Sequence, residues 1–363
     1  MKPVLFLTGH LPDDRVGAVR ELHARAGIEV ALYGGPHAHG APPASGPPGG
    51  VPHRRVDQRD VARLVAGGGY RAVIAGTGGR LALPAAWGAS RRVGLPFIFW
   101  AALWRAPRTP AHLAAYPLML WIYRDAAAVV TYGEHVSGYV GARGARNVHV
   151  APQSVDNAFW SAGVPDERPP GPFRALFVGR ATPAKGLGVL LEAWRGSGVG
   201  RAGATLTLAG PGAGGGAGPG PLPPGVRRVG VLEPAALRNF YGAYDVLVMP
   251  SIPTRGFLEP WGLVANEAMN QATAILSTDA VGAAAGGLVR DGRNGLVVPA
   301  GDPAALGAAL VRLAGDPGLC ARLGRAGARD VRAFTHAAWA AGFVGALRSV
   351  GVGGDPLVAL PDA

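Results

Sequence analysis

The amino-acid sequence predicts an α/β protein with two doubly wound, Rossmann-like domains of similar size. Three observations lead to this fold class: apolar strand-like runs alternate with helical patterns along the whole chain, the pattern restarts after residue 172, and the connecting segment is rich in proline and charge. Continuous apolar strands separated by crossover helices form parallel sheets that are covered on both faces. Because ligands of such sheets bind at the carboxyl ends of the strands, we expect a site in a cleft that both domains face.

The first domain is predicted over residues 1–163 and the second over residues 173–334, with a linker at 164–172 and a disordered tail at 351–363. The predicted strands of the first domain are the runs VLFLTG, IEVALYGG, AVIAGTGG, PFIFW, AVVTYG and VHVAP. Those of the second domain are ALFVG, ATLTLAG, VRRVGVL, DVLVMPS, TAILSTDAV and GLVVPAG. Two stretches rich in glycine and proline, 34–52 and 211–225, are expected to be mobile loops.

Composition and charge limit the functional classes that remain open. A chain of 363 residues with 48% apolar content is long enough for two or three domains with full cores, which excludes a disordered protein. The formal net charge of +12 would suit a nucleic acid or an anionic membrane. The arginines are scattered, however, and Lys2 and Lys185 are the only lysines. We therefore expect no nucleic-acid partner.

The cellular location is inferred from the cysteine content and from the apolar segments. The single cysteine, Cys320, excludes an intrachain disulfide and fits a reducing compartment. Residues 1–10 resemble a strand more than a signal peptide, and the apolar stretch 95–123 is interrupted by arginine and proline. We expect a cytoplasmic protein. The segment LAAYPLMLWIYR could form an interfacial helix at the inner membrane face. The favoured interpretation is that its apolar residues form the buried face of a crossover helix.

One informative segment is DVLVMPSIPTRGFLEPWGLVANE, residues 245–267. A buried strand ends at Pro250, and a helix is predicted to start near Gly262, with Glu259 just before it and Glu267 inside it. The exposed N–H groups of a helix start can receive phosphate or sugar hydroxyls, and a carboxylate accepts hydrogen bonds from hydroxyl groups. Alternatively, Glu259 caps the helix and Glu267 is a solvated helix residue.

A second segment is LFVGRATPAKGLGVLLEAW, residues 176–194. A strand runs into Gly179 and Arg180, and a short loop then carries Lys185 to the start of a helix. This arrangement suits a diphosphate, because the guanidinium group binds two oxygens and the ammonium group is a compact charge. The alternative is a solvated pair of surface cations.

Together the two segments resemble the retaining, nucleotide-sugar-dependent glycosyltransferases of the GT-B fold, family 4. That family has two glutamates with seven residues between them, matched here by Glu259 and Glu267, and a strand-end glycine-arginine followed by a lysine, matched by Gly179, Arg180 and Lys185. The resemblance continues through LAGPG, VGVL, YGAYDVLVMPS, DAVGAA and DGRNGLVVPAGD and covers nearly all of residues 174–334.

The resemblance implies how the donor is held. Arg180 and Lys185 would neutralise the diphosphate, Glu259 and the backbone of 261–264 would hold the transferred sugar, and Glu267 would bind the ribose. The catalytic residues implied are Arg180, Lys185 and Glu259. The donor-binding residues implied are Gly179, Gly230, Val231, Leu232, Pro260, Trp261, Gly262, Leu263, Val264 and Glu267. Since these cations can stabilise the leaving charge and no Asp-x-Asp motif is present, we expect neither a metal nor a cofactor. The helix at 335–350 would pack back on the first domain, as in relatives.

The acceptor side is less defined. Many members of the family have a histidine just after a strand like PFIFW, but the stretch from Trp100 to Trp104 contains none. Arg15, Arg105 and Tyr132 follow predicted strands or lie in the first loop, and they are our candidates for contact with a hydroxyl acceptor: a glycan, a lipid-linked glycan or a small natural product. Two alternatives to the transferase remain, a sugar-nucleotide 2-epimerase and a non-catalytic protein that binds nucleic acid.

Overall fold

The computed structural model describes residues 1–34, 49–165, 168, 170–212 and 222–353. The chain forms two compact units: an N-terminal unit of Met1–Asp156 and Thr335–Ala363, and a C-terminal unit of Asn157–Phe334. The boundary lies at residues 156 and 157, before the linker that the sequence suggests. The two predicted mobile loops and the predicted tail fall mainly on 35–48, 213–221 and 354–363, which lie outside the described residues.

The N-terminal unit is built on a seven-stranded sheet with the order β3-β2-β1-β4-β5-β6-β7. All neighbouring strands in this sheet are parallel. The strands are β1 (Val4–Thr8), β2 (Ile28–Leu32), β3 (His53–Arg55), β4 (Ala72–Gly76), β5 (Phe97–Ala101), β6 (Ala128–Thr131) and β7 (Val148–Val150). The helices between them are α1 (Asp13–Ala26), α2 (Val61–Ala66), α3 (Ala82–Arg92), α4 (Pro110–Asp125) and α5 (Glu134–Gly141).

Alternation along β1 explains why both faces of this sheet are covered. Val4 and Phe6 pack into one apolar cluster, whereas Leu5 and Leu7 pack into the cluster on the opposite face. Successive side chains of a strand point to opposite faces, so a run without polar residues requires helices on both sides. The predicted fold class, with two parallel sheets flanked by helices, is confirmed.

The strand β3 is absent from the sequence-based prediction. Its three residues, His53–Arg55, are all polar and exposed, and they extend the sheet only by pairing with β2. An edge strand needs backbone hydrogen bonds but no apolar pattern, so its sequence carries no strand signal.

The C-terminal unit is built on a six-stranded parallel sheet with the order β10-β9-β8-β11-β12-β13. Its strands are β8 (Arg174–Val178), β9 (Thr205–Ala209), β10 (Val226–Arg228), β11 (Val246–Met249), β12 (Ala274–Thr278) and β13 (Gly295–Val298). Its helices are α6 (Asn157–Ser161), α7 (Leu187–Ser197), α8 (Pro234–Ala243), α9 (Val264–Asn270), α10 (Gly282–Ala285), α11 (Pro303–Gly315) and α12 (Pro317–Asp330). The strand order reverses direction between β8 and β11, and this switch point is where doubly wound sheets bind ligands.

The last helix, α13 (His336–Ser349), packs against α1, β6 and β7 of the N-terminal unit. Thr335 caps it, because its hydroxyl oxygen accepts a hydrogen bond from the Ala338 N–H at 3.0 Å. Trp339 and Phe343 are fully buried in the same apolar cluster as Phe6. The chain therefore completes the first core with its final helix.

Helix α4 contradicts the expectation that its apolar residues are buried. Leu113 is 61% exposed and Trp121 is 60% exposed, and only Ile122 and Tyr123 of this helix are buried. The reason is that α2, α3 and α5 already fill this face of the sheet, so α4 reaches the core only through its last turns.

Within the described ranges, we find no single helix with the length and apolar character that crossing a bilayer requires; the pair Pro303–Gly315 and Pro317–Ala333 meets both criteria together but is bent by 101°.

The pH dependence of stability should reveal the burial of His336. Burial lowers its pKa, and its Nδ1 lies 3.0 Å from the Ser154 hydroxyl. The unfolded histidine takes up a proton near pH ~6.5, whereas the folded one resists it, so the free energy of unfolding should fall as the pH drops below about 6.5. In chemical denaturation between pH 7 and 5, His336→Gln should show a shallower fall than the wild type. His112→Gln, on the exposed face of α4, is the control, and parallel curves for His336→Gln and wild type would contradict the prediction.

Candidate active site

The loops that follow β8, β9 and β10 are joined by backbone hydrogen bonds at the carboxyl edge of the C-terminal sheet. The Gly179 N–H donates to the Ala209 carbonyl at 3.0 Å, and the Gly210 N–H donates to the Gly230 carbonyl at 3.1 Å. Parallel strands bring their carboxyl ends to the same edge. Gly179 and Gly230, which are far apart in sequence, therefore lie at the same carboxyl edge of the C-terminal sheet, which we call the rim.

Lys185 is carried by a 3₁₀ turn, Pro183–Lys185, directly at the switch point. Gly186 follows it with φ +66°, and a Cβ atom at this position would lie 1.8 Å from the Pro250 carbonyl oxygen. The Ile252 N–H also donates to the Ala184 carbonyl at 2.9 Å. Only glycine permits this backbone approach, which holds the lysine turn against the end of β11.

The backbone at Glu259 is held by the start of α10. The Gly282 N–H donates to the Glu259 carbonyl at 3.1 Å, and the Ala283 N–H donates to the Trp261 carbonyl at 2.8 Å. A Cβ on Gly282 would lie 1.9 Å from the Pro260 carbonyl oxygen. The segment from 259 to 261 is therefore fixed by main-chain contacts, and the Glu259 side chain need not contribute to holding it.

The Lys185 and Glu259 side chains meet in an ion pair. Lys185 Nζ lies 2.5 Å from Glu259 Oε2, and the two side chains are 20% and 9% exposed. Removing one partner of such a poorly solvated pair would leave the other charge uncompensated. Two residues from the two sequence motifs are thus in contact, although the chain between them contains three strands and two helices.

The segment from Trp261 to Val264 leads into a short helix. Trp261 is buried and its Nε1–H donates to Asn266 Oδ1 at 2.8 Å. Gly262 has φ +95°, and a Cβ there would lie 2.5 Å from the Met249 Cε. The helix α9 begins at Val264, with Leu263 at the position before it, rather than near Gly262 as the sequence suggests.

Glu267 has a partner that sequence reasoning missed. The Tyr241 hydroxyl donates to Glu267 Oε2 at 2.7 Å. Tyr241 is fully buried, and burial together with the carboxylate raises its pKa well above the ordinary value, so the hydroxyl remains a donor. Glu267 is therefore an oriented carboxylate, not a freely solvated one. Tyr241 begins the segment YGAYDVLVMPS, which the family resemblance includes, but that resemblance gave the tyrosine no role.

The remaining predicted donor residues lie on the more open part of the rim. Arg180 and Gly230 are exposed, Val231 is 69% exposed and Leu232 is half-buried. Arg180 follows Gly179 directly at the end of β8. The structure thus brings the predicted donor residues to one edge of the sheet, with Lys185 and Glu259 in direct contact.

Two of the three predicted acceptor residues lie together in the N-terminal unit. Arg15 and Tyr132 both line a cavity of about 530 Å³ at the carboxyl ends of β1, β4, β5 and β6. Arg105 is not among the residues that line it. Over the ranges that the structure describes, no group of three or more His, Cys, Asp or Glu side chains has a metal-binding arrangement.

A model of a known protein family matches most of the C-terminal unit. The family model described as "Glycosyl transferases group 1" matches residues 172–316, the region that carries the Lys185–Glu259 pair. Over these residues the chain is similar to the group 1 glycosyltransferases. The matched region begins just before β8 and ends with α11.

Curated relatives match part of the chain. The D-inositol 3-phosphate glycosyltransferases of Streptomyces avermitilis and Streptomyces bingchenggensis are 44% and 41% identical to it over 101 residues. These residues make up 27% of this chain and 20% of each relative, so the match spans about one fifth of the relatives' length.

Solved structures match the fold of nearly the whole chain. The Anabaena protein Alr3699/HepE, solved in complex with UDP and glucose, has a TM-score of 0.69 at 18% identity over 96% of this chain and 100% of that one. The sucrose-phosphate synthase of Thermosynechococcus elongatus has a TM-score of 0.70 at 19% identity over 97% and 99%. The fold is that of the GT-B glycosyltransferases.

Gly186→Ala should disrupt the switch point. The added Cβ meets a backbone oxygen and the φ value disfavours alanine, so we expect a loss of more than about 1 kcal/mol in the free energy of unfolding, together with weaker ligand binding at the rim. The matched control is Gly188→Ala in α7, where a Cβ meets no atom within 4 Å and alanine should be neutral or stabilising by up to about 1 kcal/mol. Chemical denaturation measures both variants, and an equal effect at the two positions would contradict the assignment.

Proposed function

We propose that the protein is a retaining glycosyltransferase of family 4, which transfers a sugar from a nucleotide-diphosphate sugar to a hydroxyl acceptor. The observation that carries the proposal is the Lys185–Glu259 ion pair, which lies at the switch point of the C-terminal sheet, in the region that matches the group 1 glycosyltransferases. The UDP and glucose bound by Anabaena Alr3699/HepE support a nucleotide-sugar donor.

The proposed reaction breaks the bond between the anomeric carbon and the diphosphate oxygen. The acceptor oxygen forms the new bond to that carbon on the same face, the acceptor proton passes to the leaving diphosphate, and nucleoside diphosphate is released. Negative charge grows on the diphosphate while the sugar gains oxocarbenium character. Fixed cations at the leaving group stabilise this charge, and Arg180 and Lys185 are the residues proposed to supply them.

The ion pair gives Lys185 and Glu259 linked roles. Without donor, each side chain compensates the charge of the other. A diphosphate that takes up the Lys185 ammonium group would release Glu259, whose carboxylate can then accept hydrogen bonds from hydroxyl groups of the transferred sugar. Donor binding would thus replace one ion pair with two sets of contacts.

The same arrangement suggests how the nucleoside is held. Glu267 is oriented by the buried Tyr241 hydroxyl, and its carboxylate is the group proposed to accept hydrogen bonds from the two hydroxyls of a ribose. Val231, 69% exposed, provides apolar surface for the base beside Gly230. Because two cations serve the leaving group, we expect turnover that needs no added divalent metal and no cofactor.

The two alternatives have less support. A sugar-nucleotide 2-epimerase and a nucleic-acid-binding protein are both disfavoured by the match to a glycosyltransferase family. Several arginines are also engaged within the protein: Arg168 donates to backbone carbonyls at the ends of α8 and α9, and Arg174 pairs with Asp245.

The proposal includes peripheral membrane contact through the exposed face of α4. Leu113, Leu118 and Trp121 are 61%, 37% and 60% exposed, and helical spacing places them on one side of the helix. Exposed apolar side chains grouped in this way mark an interaction surface, and tryptophan is suited to the boundary between lipid and water.

The excess of arginine around α4 favours an anionic bilayer as the partner of this helix face. Residues 80–146, which surround α4 in sequence, contain eight arginines and only two acidic residues, Asp125 and Glu134. The exposed Arg108 and Arg124 lie at the two ends of the helix. Each basic residue near an anionic surface contributes about 1 kcal/mol to membrane binding. The α4 surface, Leu113, Leu118 and Trp121 with the flanking arginines, is therefore proposed to rest on the lipid headgroups.

Vesicle binding tests the α4 surface. The wild type should sediment with vesicles of phosphatidylcholine and phosphatidylglycerol and much less with phosphatidylcholine alone, and binding should fall with salt. Leu113→Ser with Trp121→Ser should lower the partition coefficient at least about tenfold. The matched control is Val311→Ser, which removes an exposed apolar residue of α11 that is 48% exposed. Unchanged sedimentation of the double variant would refute the membrane surface, and a concentration-dependent dimer lost in that variant would assign the face to a second copy.

Turnover tests the ion pair. A panel of UDP-, GDP- and ADP-sugars, scored by thermal shift, first identifies the donor, since a ligand that binds the folded state raises its apparent stability. With that donor, Lys185→Ala and Glu259→Ala should each lower kcat by orders of magnitude, because each removes charge that the transition state needs. The controls are Arg195→Ala and Glu192→Ala, which alter exposed charges on α7. Wild-type turnover in either site variant would refute the site, and circular dichroism shows whether the fold is kept.

A further inference from the structure

Arg15 is a buried cation in the first turn of α1. The residue is only 8% exposed. Its Nη2 donates to the side-chain oxygen of Gln153, and its guanidinium lies 5.8 Å from the Trp100 ring centroid and 5.7 Å from that of Trp339. All of these partners are neutral.

Arg15 has no ion-pair partner within the part of the chain that the structure describes. No carboxylate there forms an ion pair with it, and its Nη1 is buried without a hydrogen-bond partner. Arginine remains protonated in proteins, and an unpaired buried charge is strongly unfavourable. A buried donor that has no protein partner needs a bound ligand, an ion or water to satisfy it.

The cavity that Arg15 lines is rich in donors. Besides Arg15, it is lined by His10 and Trp100, whose Nε2 and Nε1 atoms are also buried without a partner among the described residues. Burial raises the pKa of Tyr132, which also lines the cavity, so its hydroxyl stays protonated and can donate. None of the residues that line the cavity is acidic.

A cation or a purely apolar molecule does not suit such a cavity. A cation would be repelled by Arg15, and an apolar ligand would leave the donors unpaired. A carboxylate or a phosphate monoester presents several acceptor oxygens and a charge opposite to that of the guanidinium. Both share the oxyanion that the lining requires, and a volume of about 530 Å³ leaves room for the rest of a small molecule.

We propose that the Arg15 cavity binds the oxyanion of an acidic acceptor, a phosphate monoester or a carboxylate, with Arg15 as its counter-ion. The anion site follows from the N-terminal unit alone, whereas its assignment to the acceptor rests on the proposed transferase function. Arg15 is a binding residue in this proposal, and the hydroxyl that receives the sugar belongs to another part of the same molecule.

Calorimetric titration tests the anion site. Inorganic phosphate and acetate, titrated into the wild type in a buffer without other oxyanions, represent the two ligand classes, and the one with the greater affinity identifies the class. Arg15→Gln should weaken binding about 10- to 100-fold, as expected for loss of a charge-assisted hydrogen bond. Arg15→Lys should recover part of it. Arg20→Gln on the same helix, an exposed arginine that donates to the Gly49 carbonyl, should bind as the wild type does.

Lys185→Ala separates this site from the donor site. Phosphate binding that survives Lys185→Ala and is lost in Arg15→Gln supports the inference. Phosphate binding that is lost in Lys185→Ala and kept in Arg15→Gln overturns it and leaves the transferase proposal intact. The reverse failure is also distinct: if the anion binds at Arg15 but no nucleotide sugar is turned over, the anion site stands and its acceptor role falls.

Thermal stability separates a ligand site from a structural role. If Arg15 only supported the fold, Arg15→Met would lower Tm, whereas removing an uncompensated buried charge should leave Tm unchanged or raise it. Should the Arg15 variants fail to fold, crystals of the wild type soaked in tungstate decide the matter: an anomalous peak beside Arg15 supports the site, and its absence overturns it.

Discussion

The candidate donor site depends on one close backbone approach, that of Gly186 to the Pro250 carbonyl. A Cβ at Gly186 would lie 1.8 Å from that oxygen, so the loop after β8 and the end of β11 can touch only because glycine stands there. This contact lies where the strand order of the sheet reverses. It places the Lys185 turn beside the loop that contains Glu259, and the 2.5 Å ion pair is its consequence.

A second set of close approaches secures the other half of the site. Gly282 lets the start of α10 lie against the Pro260 carbonyl, and its N–H binds the Glu259 carbonyl. Because main-chain hydrogen bonds hold the backbone of Glu259, the position of this segment does not depend on the Lys185–Glu259 ion pair. A site that replaces an internal ion pair with contacts to a substrate needs a backbone that stays fixed while the side chains change partners.

The two units differ in the partners of their candidate binding cations. The ammonium group of Lys185 is paired with the Glu259 carboxylate. Arg15 has only neutral partners among the described residues, namely Gln153, Trp100 and Trp339. A ligand that binds Lys185 must break the ion pair with Glu259, which favours selectivity. A cation without an ion-pair partner, such as Arg15, favours affinity for an anion.

The sequence by itself determined the fold class, the two motifs of the donor site and twelve of the thirteen strands found in the described ranges. Buried parallel strands and glycine-rich strand ends leave patterns that do not depend on distant residues. The sequence did not reveal β3, whose polar residues pair only through the backbone, nor the exposure of α4, which depends on how three other helices fill the sheet face. Tertiary structure alone decided that Lys185 pairs with Glu259, that Tyr241 orients Glu267 and that Arg15 has no ion-pair partner among the described residues. These are contacts between segments far apart in the chain, and the packing of the whole core sets their distances.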